Sequence, residues 1–221
     1  MTATILGANV SPFVRKVRVY MTEKGLPYTL QPVSPFSPPE GFREVSPLGK
    51  IPAFTDGEVS LADSSVICIY LERCHPEPAL YPRGNADYAH ALWLEEYIDS
   101  GFMPKAGPEV FRPLVLAPKM SKEPVSEEVR AAAMAVVDEH LRPMWQYLES
   151  QLGDAEFFVG DALSIADITV ASAHVNLWHA GVDVDKSAFP RLAAFIERLF
   201  ARPSFKTVLD EEAPTWSQRG N

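Results

Sequence analysis

Two short segments of this chain carry groups that could bind a small charged peptide. Ile51 precedes Pro52, and a residue before proline favours an extended conformation, which leaves its N–H and C=O free to pair with an incoming peptide. Asp63 and Ser64 stand just before the apolar run 66–71, where a helix is expected to begin. The unpaired N–H groups of a helix start bind carboxylates. Together these segments predict a socket for a peptide with charged ends.

A third segment, Ser11-Pro12-Phe13, places a hydroxyl at the start of another predicted helix. Serine followed by proline is typical of an N-cap and a first helical residue. The same geometry allows the Ser11 hydroxyl to donate a hydrogen bond to a sulfur that lies over the helix N-terminus. Asn9 is a second candidate donor, although a role in the turn also explains it.

The overall composition is that of an ordinary globular protein and argues against several functions. The 221 residues are 47% hydrophobic and 22% charged, with a net charge of -9. That charge argues against sequence-independent nucleic-acid binding and against docking on an anionic membrane. No apolar run approaches the roughly 20 residues of a membrane span. The N-terminus lacks the features of a signal peptide, so we expect a cytoplasmic protein.

Cysteine and histidine spacing predicts neither a redox motif nor a metal site. Cys68 and Cys74 lie six residues apart and form no CxxC pair, which excludes that redox motif. The five histidines show no metal-ligand spacing. Walker and dinucleotide-binding glycine motifs are also missing from the sequence.

Residues 1–78 alternate strand-like and helix-like segments in the order βαβαββα. Asp56-Gly57 between two short apolar runs predicts a β-hairpin. A βαβ unit followed by a hairpin and a helix is the thioredoxin-like arrangement. The fold class predicted for this half is therefore α/β and thioredoxin-like. The predicted strands and helices cover 4–6, 12–24, 28–30, a short helix after the loop 32–41, 53–54, 59–61 and 63–74.

Residues 79–86 are predicted as a linker and 87–221 as an all-α domain. Helical spacing covers 89–97, 125–152, 164–178 and 191–200. The stretch 101–124 holds five prolines, and we expect it to be a long irregular connection of the kind that often contributes to a binding site. Ser164 and Asp167 form a variant capping box, interpreted as a structural helix start.

Four segments, in this order, resemble the cytosolic glutathione transferases, and the likeness extends over nearly the whole chain. They are 11–18 (SPFVRKVR), 46–52 (SPLGKIP), Asp63-Ser64 and 160–167 (GDALSIAD). The resemblance implies a thioredoxin-like N-terminal domain that binds glutathione and an all-α C-terminal domain that contributes the pocket for the second substrate. It also implies a homodimer with one site per subunit.

The same resemblance assigns parts of glutathione to individual residues. Ile51 would pair its backbone with the cysteinyl part, just before a cis Pro52. Asp63 would receive the α-ammonium, while Ser64 and the helix N-terminus would bind the α-carboxylate. Lys50 is the expected partner of the glycine carboxylate. Glutathione would be a consumed co-substrate, with no bound cofactor and no metal.

The resemblance is to the Ser-type members and gives Ser11 the catalytic role. Relatives that transfer thiols carry cysteine at this position, so serine disfavours mixed-disulfide chemistry. Arg15 and Arg18, on the helix that follows, could line the site, but we expect them to be solvated. The second substrate is expected between the domains, with Phe13 and Phe111 as the apolar residues assigned to its pocket.

The sequence predicts a transferase that conjugates glutathione to small, largely apolar electrophiles, and it leaves alternatives open. A glutathione-dependent isomerase, dehalogenase or ether-cleaving enzyme would use the same fold and thiolate. A protein that binds glutathione or an apolar ligand without turnover is a second class. A structural or interaction module is a third.

Overall fold

The N-terminal half is built on a mixed four-stranded sheet with the strand order β2-β1-β3-β4. In this computed structural model, which describes residues 3–219, β1 pairs in parallel with β2 and antiparallel with β3, which forms a hairpin with β4. The strands are β1 (Ala3–Leu6), β2 (Tyr28–Gln31), β3 (Ala53–Thr55) and β4 (Ser60–Ala62). The helices are α1 (Pro12–Glu23), α2 (Phe42–Val45) and α3 (Ser64–Cys74). The predicted order βαβαββα and the thioredoxin-like fold are confirmed.

A glycine at the end of β1 lets the next turn pass close to α1. A Cβ on Gly7 would lie 2.5 Å from Cγ2 of Val14, well inside van der Waals contact. Val14 and Val17 are fully buried beneath the sheet. The missing side chain therefore allows the chain to turn from β1 into Ser11 at the beginning of α1.

The C-terminal half is all-α, as predicted, and its described residues form five helices. They are α4 (85–121), α5 (127–152), α6 (Ile165–His179), α7 (Pro190–Phe200) and α8 (Pro203–Trp216). α4 is continuous but contains two π-helical stretches, Tyr97–Phe102 and Ala106–Leu116, and α5 contains one, Val137–Leu141. None of the helices within 3–219 is long and apolar enough to cross a membrane.

The expectation of an irregular connection over 101–124 was wrong, because residues 101–121 belong to α4. Their prolines recur every four or five residues, at Pro104, Pro108, Pro113 and Pro118. A proline removes one intrahelical N–H donor and crowds the preceding turn. The wider π-helical pattern accommodates such an interruption within a helix. Helix α8, which contains Pro214, was not predicted from the sequence either.

The predicted capping box at the start of α6 is confirmed. The Asp167 carboxylate accepts hydrogen bonds from the N–H and the hydroxyl of Ser164 at 2.8 Å, and from the Phe158 N–H at 2.8 Å. Burial raises the pKa of Asp167 to about 6 even though these donors favour its ionised form. Its role is structural, since it joins the helix start to the preceding loop.

Arg15 of α1 is fully buried and joins the two halves of the molecule. Its guanidinium donates to both carboxylate oxygens of Glu212 on α8. It also donates to Asn176 Oδ1 and the Ser172 carbonyl of α6, at 2.8 and 2.7 Å, and to the Val10 carbonyl at 3.3 Å. All five N–H donors are thus used. Burial would raise the pKa of Glu212, but the Arg15 guanidinium holds it below the ordinary value.

The expectation that Arg15 and Arg18 are solvated was therefore wrong. Arg18 is also buried, and it bonds to Glu211 of α8 and to the Tyr28 hydroxyl. Between them, Lys16 donates to Glu95 at 2.9 Å and Asp99 at 2.6 Å, both on α4. Burial lowers the pKa of Lys16, but these two carboxylates outweigh burial and raise it overall. Three cations of α1 thus hold the C-terminal helices.

Removing one partner of the Arg15–Glu212 pair should strongly destabilise the protein. Glu212→Leu leaves a buried guanidinium without its counter-charge, which costs about 3–5 kcal/mol of unfolding free energy. The double variant Arg15→Met with Glu212→Leu should recover a large part of that loss, because no isolated charge is left. Urea denaturation of the two single variants and the double variant measures this coupling. Additive losses would contradict it.

Candidate functional site

A cleft of 1760 Å³ lies where the sheet domain meets α4, α6 and α8. All eight residues that the sequence analysis assigned to binding or catalysis line this cleft. They are Ser11, Phe13, Lys50, Ile51, Pro52, Asp63, Ser64 and Phe111. They come from four separate segments of the chain, and the fold brings them together.

Ser11 is the N-cap of α1, and its hydroxyl hydrogen is free to point into the cleft. The Oγ accepts the Val14 N–H at 3.4 Å, and this is its single hydrogen bond to residues 3–219. The Arg15 N–H bonds to the Ser11 carbonyl at 2.9 Å, which fixes the helix start. A hydroxyl that accepts from its own helix can still donate to a ligand. The side chain is half-buried.

Asn9, the second candidate donor, is held by the last helix. Its Oδ1 accepts a hydrogen bond from Nε1 of Trp216 at 3.3 Å. The amide NH₂ group takes no part in that contact and can still donate to a ligand. Both residues line the cleft. Asn9 and Ser11 therefore present two hydrogen-bond donors to the same cleft.

The segment before β3 supplies a backbone edge to the cleft. The Ile51–Pro52 bond is cis, and Ile51 precedes β3, outside the described strand ladder. The buried Ser46 hydroxyl donates to the Lys50 carbonyl at 2.7 Å, and Gly49 turns the chain with a φ of 66°. The backbone of Ile51 is thus fixed, while the Lys50 side chain is exposed at the rim.

Asp63 caps α3 from a strained backbone conformation. Its φ is 83°, in a region that non-glycine residues rarely occupy and that costs on the order of 1–3 kcal/mol. One carboxylate oxygen, Oδ1, accepts the N–H groups of Ser65 at 2.9 Å and Val66 at 3.2 Å. Oδ2 has no hydrogen bond among the described residues, and Asp63 lines the cleft, so this oxygen is available to accept a hydrogen bond from a cation.

Ser64 is the first residue of α3 and is buried. Its hydroxyl makes no hydrogen bond within 3–219, and its N–H belongs to the first turn, where no intrahelical acceptor exists. The Ser65 hydroxyl behind it accepts from Lys16 at 3.1 Å. This helix start offers an unpaired N–H and hydroxyl to an anion, beside the Asp63 carboxylate.

One face of α4 forms the wall opposite the sheet domain. Pro104, Pro108, Arg112, Leu116 and Met120, spaced by four, all line the cleft. In a regular α-helix of about 3.6 residues per turn such a series would drift off one face. The π-helical stretch Ala106–Leu116 has more residues per turn and keeps the series together.

Other cleft residues escaped the sequence analysis as site residues. Trp216, Glu211, Asn176, Arg112 and Lys119 line the cleft as well. Two of them lie on α8, which was not predicted as a helix. The two cations lie in the stretch that was predicted to be irregular. The sequence of that stretch did contain a signal for a binding site, because basic residues stand beside its apolar residues and prolines.

The comparisons with known proteins cover both halves of the chain. Residues 6–79 match the family "Glutathione S-transferase, N-terminal domain", and residues 102–203 match "Glutathione S-transferase, C-terminal domain". The first match includes seven of the eight assigned residues. Phe111 lies in the second.

Curated relatives match over almost their whole length. The "Uncharacterized GST-like protein YibF" of Escherichia coli (strain K12) is 31% identical over 213 residues, 91% of this chain and 95% of its own. "Glutathione S-transferase Z2" of Arabidopsis thaliana is 29% identical over 92% of this chain and 89% of its own. A "Stringent starvation protein A homolog" of Haemophilus ducreyi is 26% identical over 91% and 87%.

Solved structures of glutathione S-transferases have the same overall fold as this chain. A glutathione S-transferase from Rhodospirillum rubrum F11 superposes with a TM-score of 0.85 at 26% identity, covering 99% of this chain and 97% of that one. One from Methylobacterium radiotolerans JCM 2831, in complex with glutathione sulfonate, gives 0.74 at 26% identity and 94% coverage of both. With its fold, its cleft and these matches, the chain belongs to the cytosolic glutathione transferase superfamily.

Proposed function

We propose that this protein is a glutathione transferase that activates the glutathione thiol beside Ser11 for attack on small, largely apolar electrophiles. The observation that carries the proposal is the free hydroxyl of an N-cap serine at the mouth of α1. It lies in one cleft with the Ile51 backbone edge and the unpaired start of α3. The related structure with glutathione sulfonate supports glutathione as the ligand.

The four groups of glutathione each have a partner of suitable chemistry in this proposal. Oδ2 of Asp63 takes the α-ammonium, and Ser64 with the α3 N-terminus takes the α-carboxylate. The backbone of Ile51, before the buried Pro52, pairs with the cysteinyl amide. Lys50, exposed at the rim, takes the glycine carboxylate. The thiol then lies toward α1.

The Ser11 hydroxyl and the α1 N-terminus together can shift the thiol to its thiolate. A free thiol ionises near pH ~8.5, and lowering its pKa by about two units requires roughly 2.7 kcal/mol. A hydrogen bond to a charged group contributes about 1.5–3 kcal/mol, and the helix terminus adds about 0.3–1 kcal/mol. These contributions suffice for a thiolate at neutral pH.

The reaction then needs no further cofactor. The thiol loses its proton to solvent, and the thiolate sulfur forms a bond to the electrophilic carbon. A leaving group departs with its electron pair, or an activated double bond accepts the electrons and is protonated. The acceptor carbon would lie against Phe13 and Phe111, between the two domains. We expect a cytoplasmic enzyme that detoxifies electrophiles of this kind.

Replacing Ser11 should abolish thiol activation without abolishing binding. In Ser11→Ala we expect turnover with an aromatic halide to fall about ten- to hundredfold, the equivalent of one hydrogen bond to a charged sulfur. The pKa of bound glutathione, titrated by thiolate absorbance, should rise toward that of the free thiol. The affinity for glutathione, measured by calorimetry, should change little.

Two matched variants control this test. Ser126→Ala removes an N-cap serine that accepts the Val129 N–H at 3.2 Å at the exposed start of α5, and it should leave turnover unchanged. Ser11→Thr keeps a hydroxyl and should retain much of the activity. Full activity in Ser11→Ala would move the role to Asn9, and a bound thiol pKa as high as that of free glutathione in the natural protein would favour binding without turnover.

Changes at the start of α3 should instead weaken glutathione capture. Asp63→Asn keeps the Oδ1 acceptor that caps α3 but removes the negative charge, and Ser64→Ala removes one hydroxyl. Each should raise the Kd for glutathione about tenfold or more through loss of a charge-assisted hydrogen bond. Asp56→Asn is the control, because Asp56 caps a hairpin turn outside the cleft. An unchanged Kd would refute the assignment.

A non-catalytic binding protein is the main alternative, because a relative of similar length carries a name that states no transferase activity, a stringent starvation protein A homolog. Such a protein could bind glutathione or an apolar ligand in the same cleft. The bound thiol pKa separates the two, since only an enzyme needs it lowered. Isomerase, dehalogenase and ether-cleaving activities share the thiolate and would be distinguished by a panel of electrophiles.

We also propose that the protein is a homodimer. Large apolar side chains on three successive helices stay exposed in the single chain, among them Val66 on α3, Trp93 on α4 and Met134 on α5. Apolar groups mark a subunit interface when they form one continuous patch, and the proposal places these three in such a patch. Sedimentation should give about twice the 24.5 kDa chain mass, and Trp93→Glu should shift the protein toward the monomer. A monomer at micromolar concentration would contradict the proposal.

A further inference from the structure

The α4 wall of the cleft carries two cations to which the binding of glutathione gives no role. Arg112 and Lys119 line the cleft, and neither forms an ion pair or side-chain hydrogen bond with the described part of the chain. Lys105, on the same helix but outside the cleft, pairs with Glu109 at 3.1 Å. Acidic residues outnumber basic ones 29 to 20 in this chain. Two cations on one wall of a cleft, without a partner among the described residues, therefore require an explanation.

Acidic residues of the cleft do not neutralise these two side chains. Asp99 pairs with Lys16, and Glu211 pairs with Arg18. Glu96 also lines the cleft, but it lies about four turns before Arg112 along α4. Asp63 lines the cleft as well, but it caps α3 and forms no ion pair with either cation. None of the cleft carboxylates is therefore paired with Arg112 or Lys119, so their positive charge is available to a ligand.

The surroundings of the two cations are apolar. Phe111 and Leu116 flank Arg112 along α4, and Met120 follows Lys119. Phe36 and Met120 line the same cleft and are 68% and 73% exposed. A ligand that suits this wall of the cleft therefore has an apolar body and a negative charge.

We propose that Arg112 and Lys119 bind a carboxylate on the second substrate, so that the preferred acceptors are apolar electrophiles with a carboxylate group. The planar guanidinium of Arg112 can hold both carboxylate oxygens in parallel hydrogen bonds, and Lys119 adds a mobile point charge. The inference rests on the proposed function, in which Asp63, Ser64 and Lys50 satisfy the charges of glutathione. The inference itself concerns the second substrate and not glutathione.

A matched pair of electrophiles tests the inference. A chlorodinitrobenzoate and its methyl ester present the same aromatic halide with and without the negative charge. Intrinsic reactivity differs between the two, but it cancels when each variant is compared with the natural protein. In Arg112→Met we expect kcat/KM to fall about fivefold for the carboxylate, the scale of a partly exposed ion pair, and to change little for the ester.

The charge variants around Arg112 sharpen this test. Lys119→Met should act in the same direction, and the double variant should lose more than either single one. Raising the salt concentration should reduce the preference for the carboxylate, since exposed charges are screened. Lys105→Met removes a cation of the same helix outside the cleft, so it should leave both substrates unaffected.

Three results would overturn the inference. Equal losses for carboxylate and ester would indicate that Arg112 acts by packing, and no loss for either would leave it without a role. A weaker Kd for glutathione itself in Arg112→Met would assign the cation to the glycine carboxylate instead.

Failure of the proposed function is distinguishable from failure of this inference. If neither electrophile is turned over, the transferase proposal fails, but the preformed glutathione conjugates of both compounds can still be tested by calorimetry. The inference then predicts that Arg112→Met weakens the carboxylate conjugate about fivefold more than the ester conjugate. Equal weakening would overturn it.

Discussion

The buried guanidinium of Arg15 is the constraint on which the geometry of the cleft depends. A charge removed from water is stable only when its hydrogen bonds and its counter-charge are all provided. Here they come from Val10, from α6 and from Glu212 of α8. The C-terminal helices can therefore dock on α1 in one arrangement. Ser11 lies four residues before Arg15, so the same contacts fix its position.

Lys16 applies the same constraint on the neighbouring side of α1. It joins α1 to α4 through Glu95 and Asp99, and to the first turn of α3 through the Ser65 hydroxyl. The strained Asp63 that begins α3 is thus held from behind by a buried ionic cluster. Backbone strain at a ligand site persists only where the surroundings over-determine it. The two helix starts that face glutathione in our proposal are positioned by adjacent residues of one helix.

Local signals predicted the parts of the fold that depend on local chemistry. The hairpin at Asp56-Gly57, the N-cap at Ser11 and the capping box of Ser164 with Asp167 each need only a few neighbouring residues. The resemblance to a family then indicated which of the predicted helix starts belong to one binding site. The structure brings those residues into one cleft, while their roles stay predictions.

Long-range chemistry could not be predicted in the same way. Arg15 looks like any charged residue on a helix, because its partner Glu212 is 197 residues away. The proline-rich part of α4 was misinterpreted for a different reason. A single proline breaks an α-helix, but prolines spaced by four or five residues can be absorbed by π-helical turns. The distant partner of Arg15 leaves no local signal in the sequence. The regular spacing of the prolines is visible there, but a rule that treats each proline as a helix breaker does not recognise it as helical.

The two walls of the cleft are built from different kinds of structure, and this division matches their proposed tasks. The glutathione side uses helix starts and a backbone edge held by buried ions and capping bonds, which suits a ligand that never varies. The proposed acceptor side is a proline-interrupted helix whose π-helical turns keep Pro108, Arg112 and Leu116 along the cleft. Substitutions on that wall change contacts to the acceptor without disturbing Arg15 or Lys16. Specificity for the second substrate can therefore vary while the thiol chemistry stays fixed.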